Sequence, residues 1–240
     1  MPAPVTIDLA VAKTHKFGTR ESGDTVEIVE RPGGGFSAVI VDGQGSGAAA
    51  KLLSLLVAGR AVSLLNEGVR DGAAARATHD FLFASRGGRV SAALDIVSVD
   101  LSSRTVLFTR NSEVPMLLVR DGRCERIDDS GGRIGIYRHT RPKIIEHRLD
   151  PVLAAIIVTD GITAAGTRYG APLDLGAAFE AAAARASTAA QLADGVLETA
   201  VAADRGHPAD DMTVVALRLQ AVAEDRPIRR LSIVVPLVDW

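Results

Sequence analysis

Three acidic positions in this 240-residue chain stand where apolar runs stop or start. Asp42 closes the run Phe36-Ser-Ala-Val-Ile-Val41 and opens Gly43-Gln-Gly-Ser-Gly47. Asp160 closes Leu153-Ala-Ala-Ile-Ile-Val-Thr159 and is followed by Gly161, while Asp210-Asp211 stands just ahead of Met212-Thr-Val-Val-Ala-Leu217. A carboxylate at the tip of a buried strand, beside bare glycine backbone, suits a hard cation held by oxygen. Glycine backbone that opens a helix also suits a phosphate. The two chemistries require opposite partners for Asp42, so the rest of the chain must separate them.

Gly43-x-Gly45-x-x-Ala48 satisfies the dinucleotide fingerprint in form. Its context argues against it. A second helical pattern follows the first, where the motif needs a parallel strand ending in an acidic ribose ligand. Asp42 would also face the pyrophosphate, and two like charges ~4 Å apart repel by ~4 kcal/mol at an effective dielectric of 20. A nucleoside-triphosphate loop is excluded because no Gly-Lys-Ser/Thr follows. The cation reading gains from repetition, since Asp42, Asp160 and Asp210 all lie at ends of strongly apolar strands. A lone Asp-Gly is an ordinary turn, and Asp71-Gly72 and Asp121-Gly122 are read as such. No His/Cys cluster exists for zinc, and none of His15, His79, His139, His147 and His207 forms a ligand pair by spacing; oxygen-only donors favour Mg²⁺ or Mn²⁺.

The elements that must position these groups follow from periodicity. Strands are expected over 5–11, 26–30 and 36–41, the last two joined by Arg31-Pro-Gly-Gly-Gly35 as an antiparallel hairpin. Helices are expected over 47–67 and 71–85, with Asp71-Gly72 capping the second. Strands over 90–99, 105–110, 115–120, 124–127, 143–149 and 153–159 come next, then helices over 175–186 and 188–203 with Ser187 as a cap. Strands over 212–219 and 228–237 finish the chain. Short, hairpin-like links point to antiparallel sheets with helices laid over them, an α+β layered α-β-β-α sandwich in one domain spanning 1–240.

Bulk composition is that of a soluble globular protein, with 47% hydrophobic and 23% charged residues. A net charge of −2 and 4% aromatics give no basis for nucleic-acid or anionic-membrane binding. The most apolar stretch, 48–65, carries Lys51, Arg60 and Ser63 and reads as a core helix, not a membrane span. Cys124 is the single cysteine and cannot make an internal disulfide, and no basic-then-apolar leader opens the chain; both point to a cytoplasmic, reducing setting.

The ordered set Val41-Asp42-Gly43-x-Gly45-x-Gly47, Ile157-Val-Thr-Asp160-Gly161-Ile162 and Asp210-Asp211-Met-Thr-Val-Val215 resembles the metal-dependent protein serine/threonine phosphatases, the PPM or type 2C family. The Asp-Gly-x-Gly-Ser-Gly form, with the segment 109–122, is most similar to the bacterial stress-response and sporulation branch, and the resemblance runs from about Gly18 to Leu219. It implies two divalent cations, Mn²⁺ or Mg²⁺, at one end of the sandwich. Asp42 would bridge both and the Gly43 carbonyl would bind one. Asp160 and Asp210 would hold the other, with Asp211 as a neighbouring acidic candidate. Asp24 would orient metal-bound water, and Arg20 is the candidate phosphate-binding arginine. The implied reaction is hydrolysis of phosphoserine or phosphothreonine, and the branch suggests an anti-sigma-factor antagonist as phosphoprotein partner. Gln44 departs from the pattern, since many relatives carry His there as a proton donor. That departure keeps a second reading open, a catalytically weak module that binds a phosphoprotein.

Overall fold

The computed structural model describes residues 5–120, 123–149, 153–221 and 228–235. The strands are β1 (Val5–Thr14), β2 (Asp24–Glu30), β3 (Phe36–Gly43), β4 (Ala92–Asp100), β5 (Thr105–Asn111), β6 (Met116–Arg120), β7 (Arg123–Ile127), β8 (Lys143–Arg148), β9 (Ala154–Val158) and β10 (Met212–Ala221). The helices are α1 (Gly47–Asn66), α2 (Asp71–Arg86), α3 (Asp160–Ala164), α4 (Leu175–Arg185) and α5 (Ala189–Ala203). One sheet has the order β1-β10-β9-β6-β7 and the other β2-β3-β4-β5-β8. Every pairing is antiparallel, including the expected β2–β3 hairpin, in which Asp24 lies opposite Asp42.

The alternation of side chains along a strand explains the layers. Ala38 and Ile40 on β3, with Val97 and Phe108, meet Met116, Leu118, Ile157 and Val215 of the opposite sheet in the central core. The intervening Val39 and Val41 turn outward, where α1 and α2 cover them through Val57, Leu65 and Leu82. On the other side Ile156, Val158 and Val214 lie beneath Phe179 of α4 and Val196 of α5. β3, β9 and β10 are therefore covered on both faces, which is why they read as continuous apolar runs. The result is the α-β-β-α sandwich.

α1 buries Ala50, Leu53, Val57, Ala61 and Leu64, a helical stripe against β2 and β3, while Leu52 and Leu55 face outward. By length and composition it is the one helix among the described residues apolar enough to cross a membrane, with mean hydropathy 1.7.

Three local expectations are corrected. Asp71 does not cap α2; Arg70 holds the cap position and the buried Asp71 carboxylate faces Arg31 and Ser98. The cap of α5 is Thr188, whose hydroxyl accepts from the Gln191 amide at 3.2 Å, whereas Ser187 donates to the Gln191 side chain. Residues 228–235 form no strand, and 236–237 lie outside the described residues. The Asp121-Gly122 turn also lies outside them, but β6 and β7 pair around it from Arg120↔Arg123.

Candidate metal centre

Asp42 sits near the C-terminal end of β3, and the β2–β3 register sets Asp24 directly across from it. In the other sheet, β9 and β10 pair with Val158 opposite Val214, so Asp160 just past β9 and Asp210 just before β10 emerge at the same end. Stacking the sheets brings the four segments to one open cleft of about 460 Å³, lined by Asp24, Asp42, Asp160 and Asp210, with Asp211, Lys16 and Arg133.

The glycines here serve close approach. A Cβ on Gly43 would collide with the Ala50 carbonyl, one on Gly161 with the Asp211 carbonyl, and one on Gly23 would lie 2.8 Å from the Ala50 side chain. Of Gly43, Gly45 and Gly47, only the last two take positive φ, at 97° and 66°.

Asp24 is 2% exposed and ties the sheets together. Its Oδ2 accepts from Thr159 Oγ1 at 2.8 Å and Thr213 Oγ1 at 2.6 Å. Its backbone carbonyl accepts from Lys13 Nζ at 2.9 Å and Lys51 Nζ at 2.8 Å. Burial pushes the Asp24 carboxyl up to about 7; the Asp42 and Asp211 charges add to this, against the two threonine donors. Burial likewise raises Asp42 to about 6, with Asp160 and Asp210 repelling it and Arg133 opposing the rise. Asp210 is also raised, by burial and by repulsion from Asp160.

Arg133 Nη1 lies 3.0 Å from Asp42 Oδ2, and its Nη2 lies 3.4 Å from the Asp42 carbonyl oxygen. Asp42 is thus paired with an arginine that the sequence reading did not assign to the site. Asp211, the neighbouring acidic candidate, is engaged with backbone. Its oxygens accept from the amides of Lys16 at 2.9 Å and Gly23 at 2.8 Å, clamping the loop ahead of β2. Gly43 is paired with Ala92 in the β3–β4 ladder, and Gly43 and Arg20 are not among the residues lining the cleft. Gln44 lines it, but its Oε1 is committed to the Ser91 amide at 2.9 Å. His207 packs edge-on against Phe17 with ring centroids 4.4 Å apart, away from the lining.

The donors fit a hard cation in kind, being all oxygen, and Asp24, Asp42 and Asp210 have raised proton affinities, from burial first and from neighbouring carboxylates second. Their spacing does not yet close around one. Among the described residues no three carboxylate, His or Cys side chains stand close enough to hold a metal ion as placed.

Arg133, Lys16, Thr159 and Thr213 went unassigned in the sequence. The threonines were visible beside the acidic motifs, Thr159 preceding Asp160 and Thr213 following Asp211-Met212. Their shared partner Asp24 lies |i−j| = 135 and 189 residues away, a link only the fold makes. Burial and Glu180 raise the Cys124 thiol, which excludes an activated nucleophile.

The family model described as Stage II sporulation protein E (SpoIIE) matches residues 32–220. Stage II sporulation protein E of Priestia megaterium is 23% identical over 214 residues, 89% of this chain and 36% of that protein. The chain therefore spans about a third of the length of that relative. The solved PP2C phosphatase domain of SpoIIE from Bacillus subtilis, with a fragment of its regulatory domain, matches at TM-score 0.78 and 23% identity. That match covers 92% of this chain and 65% of the other. The catalytic domain of the serine/threonine phosphatase PstP, solved in complex with two manganese ions, matches at TM-score 0.67 and 17% identity, over 90% and 100% of the two chains. At these identities the likeness shows a shared fold, that of the PP2C phosphatase domains.

Proposed function

The chain belongs to the stage II sporulation protein E family, and on that premise we propose that it is a divalent-metal-dependent phosphoprotein phosphatase acting on phosphoserine or phosphothreonine. We read residues 1–240 as one phosphatase domain in a cytoplasmic, reducing setting, with an anti-sigma-factor antagonist as the class of phosphoprotein partner. The observation that carries this reading is the convergence of Asp24, Asp42, Asp160 and Asp210, from both sheets, on one cleft.

In this reading Asp42, Asp160 and Asp210 hold Mn²⁺ or Mg²⁺, in keeping with the manganese complex of PstP. Bound there, a pair of such ions supplies an activated water and positive charge against the phosphoryl oxygens. The protein's own groups supply placement. Asp24 is fixed by Thr159 and Thr213, so its carboxylate meets the cleft without a rotamer search. The Asp211 clamp on Lys16 and Gly23 fixes the loop that leads into Asp24. Lys16 and Arg133 set positive charge where an anionic substrate enters. No side chain in the lining is a histidine, so the proton for the departing serine oxygen comes from water or a carboxylic acid in this reading.

The test is turnover of p-nitrophenyl phosphate by chelator-treated protein with and without added Mn²⁺, beside Asp42→Asn. Manganese should restore turnover to the parent chain, and Asp42→Asn should lose at least about a hundredfold, the scale of losing a principal transition-state contact. Equal turnover by the two proteins would sink the proposal. The commitment of Gln44 to Ser91 favours one alternative, a module that holds a phosphoprotein and hydrolyses it weakly. It predicts retention of a phosphoserine peptide without manganese-stimulated release of phosphate.

A further inference from the structure

Arg133 is rooted more firmly than its place in a long loop suggests. Asn111 Nδ2 donates to the Gly132 carbonyl at 3.0 Å, and Ile134 exchanges both backbone hydrogen bonds with Ala92, at 2.9 and 3.1 Å. Upstream, the buried Arg110 donates to the carbonyls of Ile127 at 2.9 Å and Asp129 at 2.8 Å. Its own carbonyl accepts from Gly131 at 3.2 Å. Ala92 is also the β4 partner of Gly43, so the root of Arg133 is fixed to the strand pair that presents Asp42. The loop backbone is pinned on both sides of residue 133, and the freedom left is in the side chain.

That side chain lies between two spaces. It lines the carboxylate cleft, and it lines an adjoining groove of about 480 Å³ that also includes Asp160, Thr163 and Arg126. A guanidinium stays charged at every pH a protein survives.

We propose that Arg133 is an internal counter-cation: it occupies Asp42 in the metal-free molecule, and a divalent ion must displace it to bind. This rests on the metal-site reading above. The guanidinium offsets the repulsion that Asp42 feels from Asp160 and Asp210, and so sets a threshold on metal loading. Once displaced, the side chain has the adjoining groove to enter.

The experiment measures Mn²⁺ affinity directly, by calorimetry or by electron paramagnetic resonance of free Mn²⁺, for the chelator-treated parent, Arg133→Met, Arg133→Lys and Arg229→Met. Arg133→Met should bind Mn²⁺ about tenfold more tightly, equivalent to about 1.4 kcal/mol. Arg133→Lys should fall between it and the parent. Arg229 pairs with Glu30 at 3.7 Å on the surface, so Arg229→Met makes the same change in net charge away from both the cleft and the groove. It should stay within about twofold of the parent, since exposed pairs act weakly. The rise in Tm on adding Mn²⁺ is the second readout and should be larger for Arg133→Met. Unchanged or weaker binding by Arg133→Met, or equal tightening by Arg229→Met, would overturn the inference and leave the metal site standing. Absence of Mn²⁺ binding in all four proteins would overturn the metal site and this inference together.

Discussion

A polar cluster with at least one buried carboxylate lies at each end of strands β3 and β4, and the two clusters are built on opposite terms. At one end Ser37 pairs with Ser98, and the buried Asp71 accepts from the Ser98 hydroxyl and from Arg31 Nη1 at 3.4 Å. Ser37 and Ser98 share a 2.6 Å hydrogen bond, and Arg31 also donates to the Val69 carbonyl at 2.9 Å. There, a single carboxylate meets a guanidinium, hydroxyls and the first turn of α2. At the other end five carboxylates line a cleft against Lys16 and Arg133. The first arrangement is a closed polar network that contributes stability. The second keeps charge in excess and costs stability, which is the expected signature of a site shaped for something other than folding.

The largest effect that would sharpen this contrast is at the balanced end. Asp71→Ala leaves Arg31 and Ser98 without their acceptor, and breaking a largely buried pair costs about 3 kcal/mol. At about 2–4 °C per kcal/mol for a chain of this size, Tm should fall by about 10 °C in thermal unfolding. A fall of only a degree or two would mean that the network is not the anchor described here.

At the crowded end the sign should reverse. Asp24 has its carboxyl raised to about 7 in the folded chain against an unfolded value near 3.8. The folded state therefore holds that proton more tightly, and its stability is fullest below about pH 4 and falls as pH rises toward 7. Asp24→Asn removes this loss while keeping an acceptor for Thr159 and Thr213. In chelator-treated protein it should raise Tm by about 5 °C at pH 8, from a gain of about 2 kcal/mol, and by almost nothing at pH 4. Destabilisation at pH 8 would break the comparison.

The smallest effect is Ser98→Ala, which removes one donor to Asp71 and leaves Arg31 in place. It should cost about 1 kcal/mol, read as a denaturant midpoint shift at constant slope.

Much of this was legible in the chain. The doubly covered strands β3, β9 and β10 announce themselves as apolar runs, and the carboxylates at their ends are visible because each interrupts such a run. The reading of α1 as a core helix and the link between β2 and β3 follow from local composition and spacing in the same way, whereas the face that α1 buries does not. Other features were not legible. The close approach of Ala50 to Gly43, which a Cβ would block, could not be read from the glycine motif. Asp211, read as the acidic neighbour of Asp210, accepts from two backbone amides whose loop no local pattern pointed to. Arg20 lay near the right motif but outside the cleft lining, while Arg133, in a glycine-rich loop with no motif of its own, reached Asp42.

The division has a physical basis. Periodicity, turn chemistry and apolar burial act over a few residues, so the sequence by itself determined the elements, their layering and the carboxylates at their ends. The counter-charge at Asp42 arrives from |i−j| = 91 residues away, and the donors to Asp24 from still farther. Which side chains fill a cleft depends on where distant loops land once both sheets have stacked, and only the tertiary structure decided that.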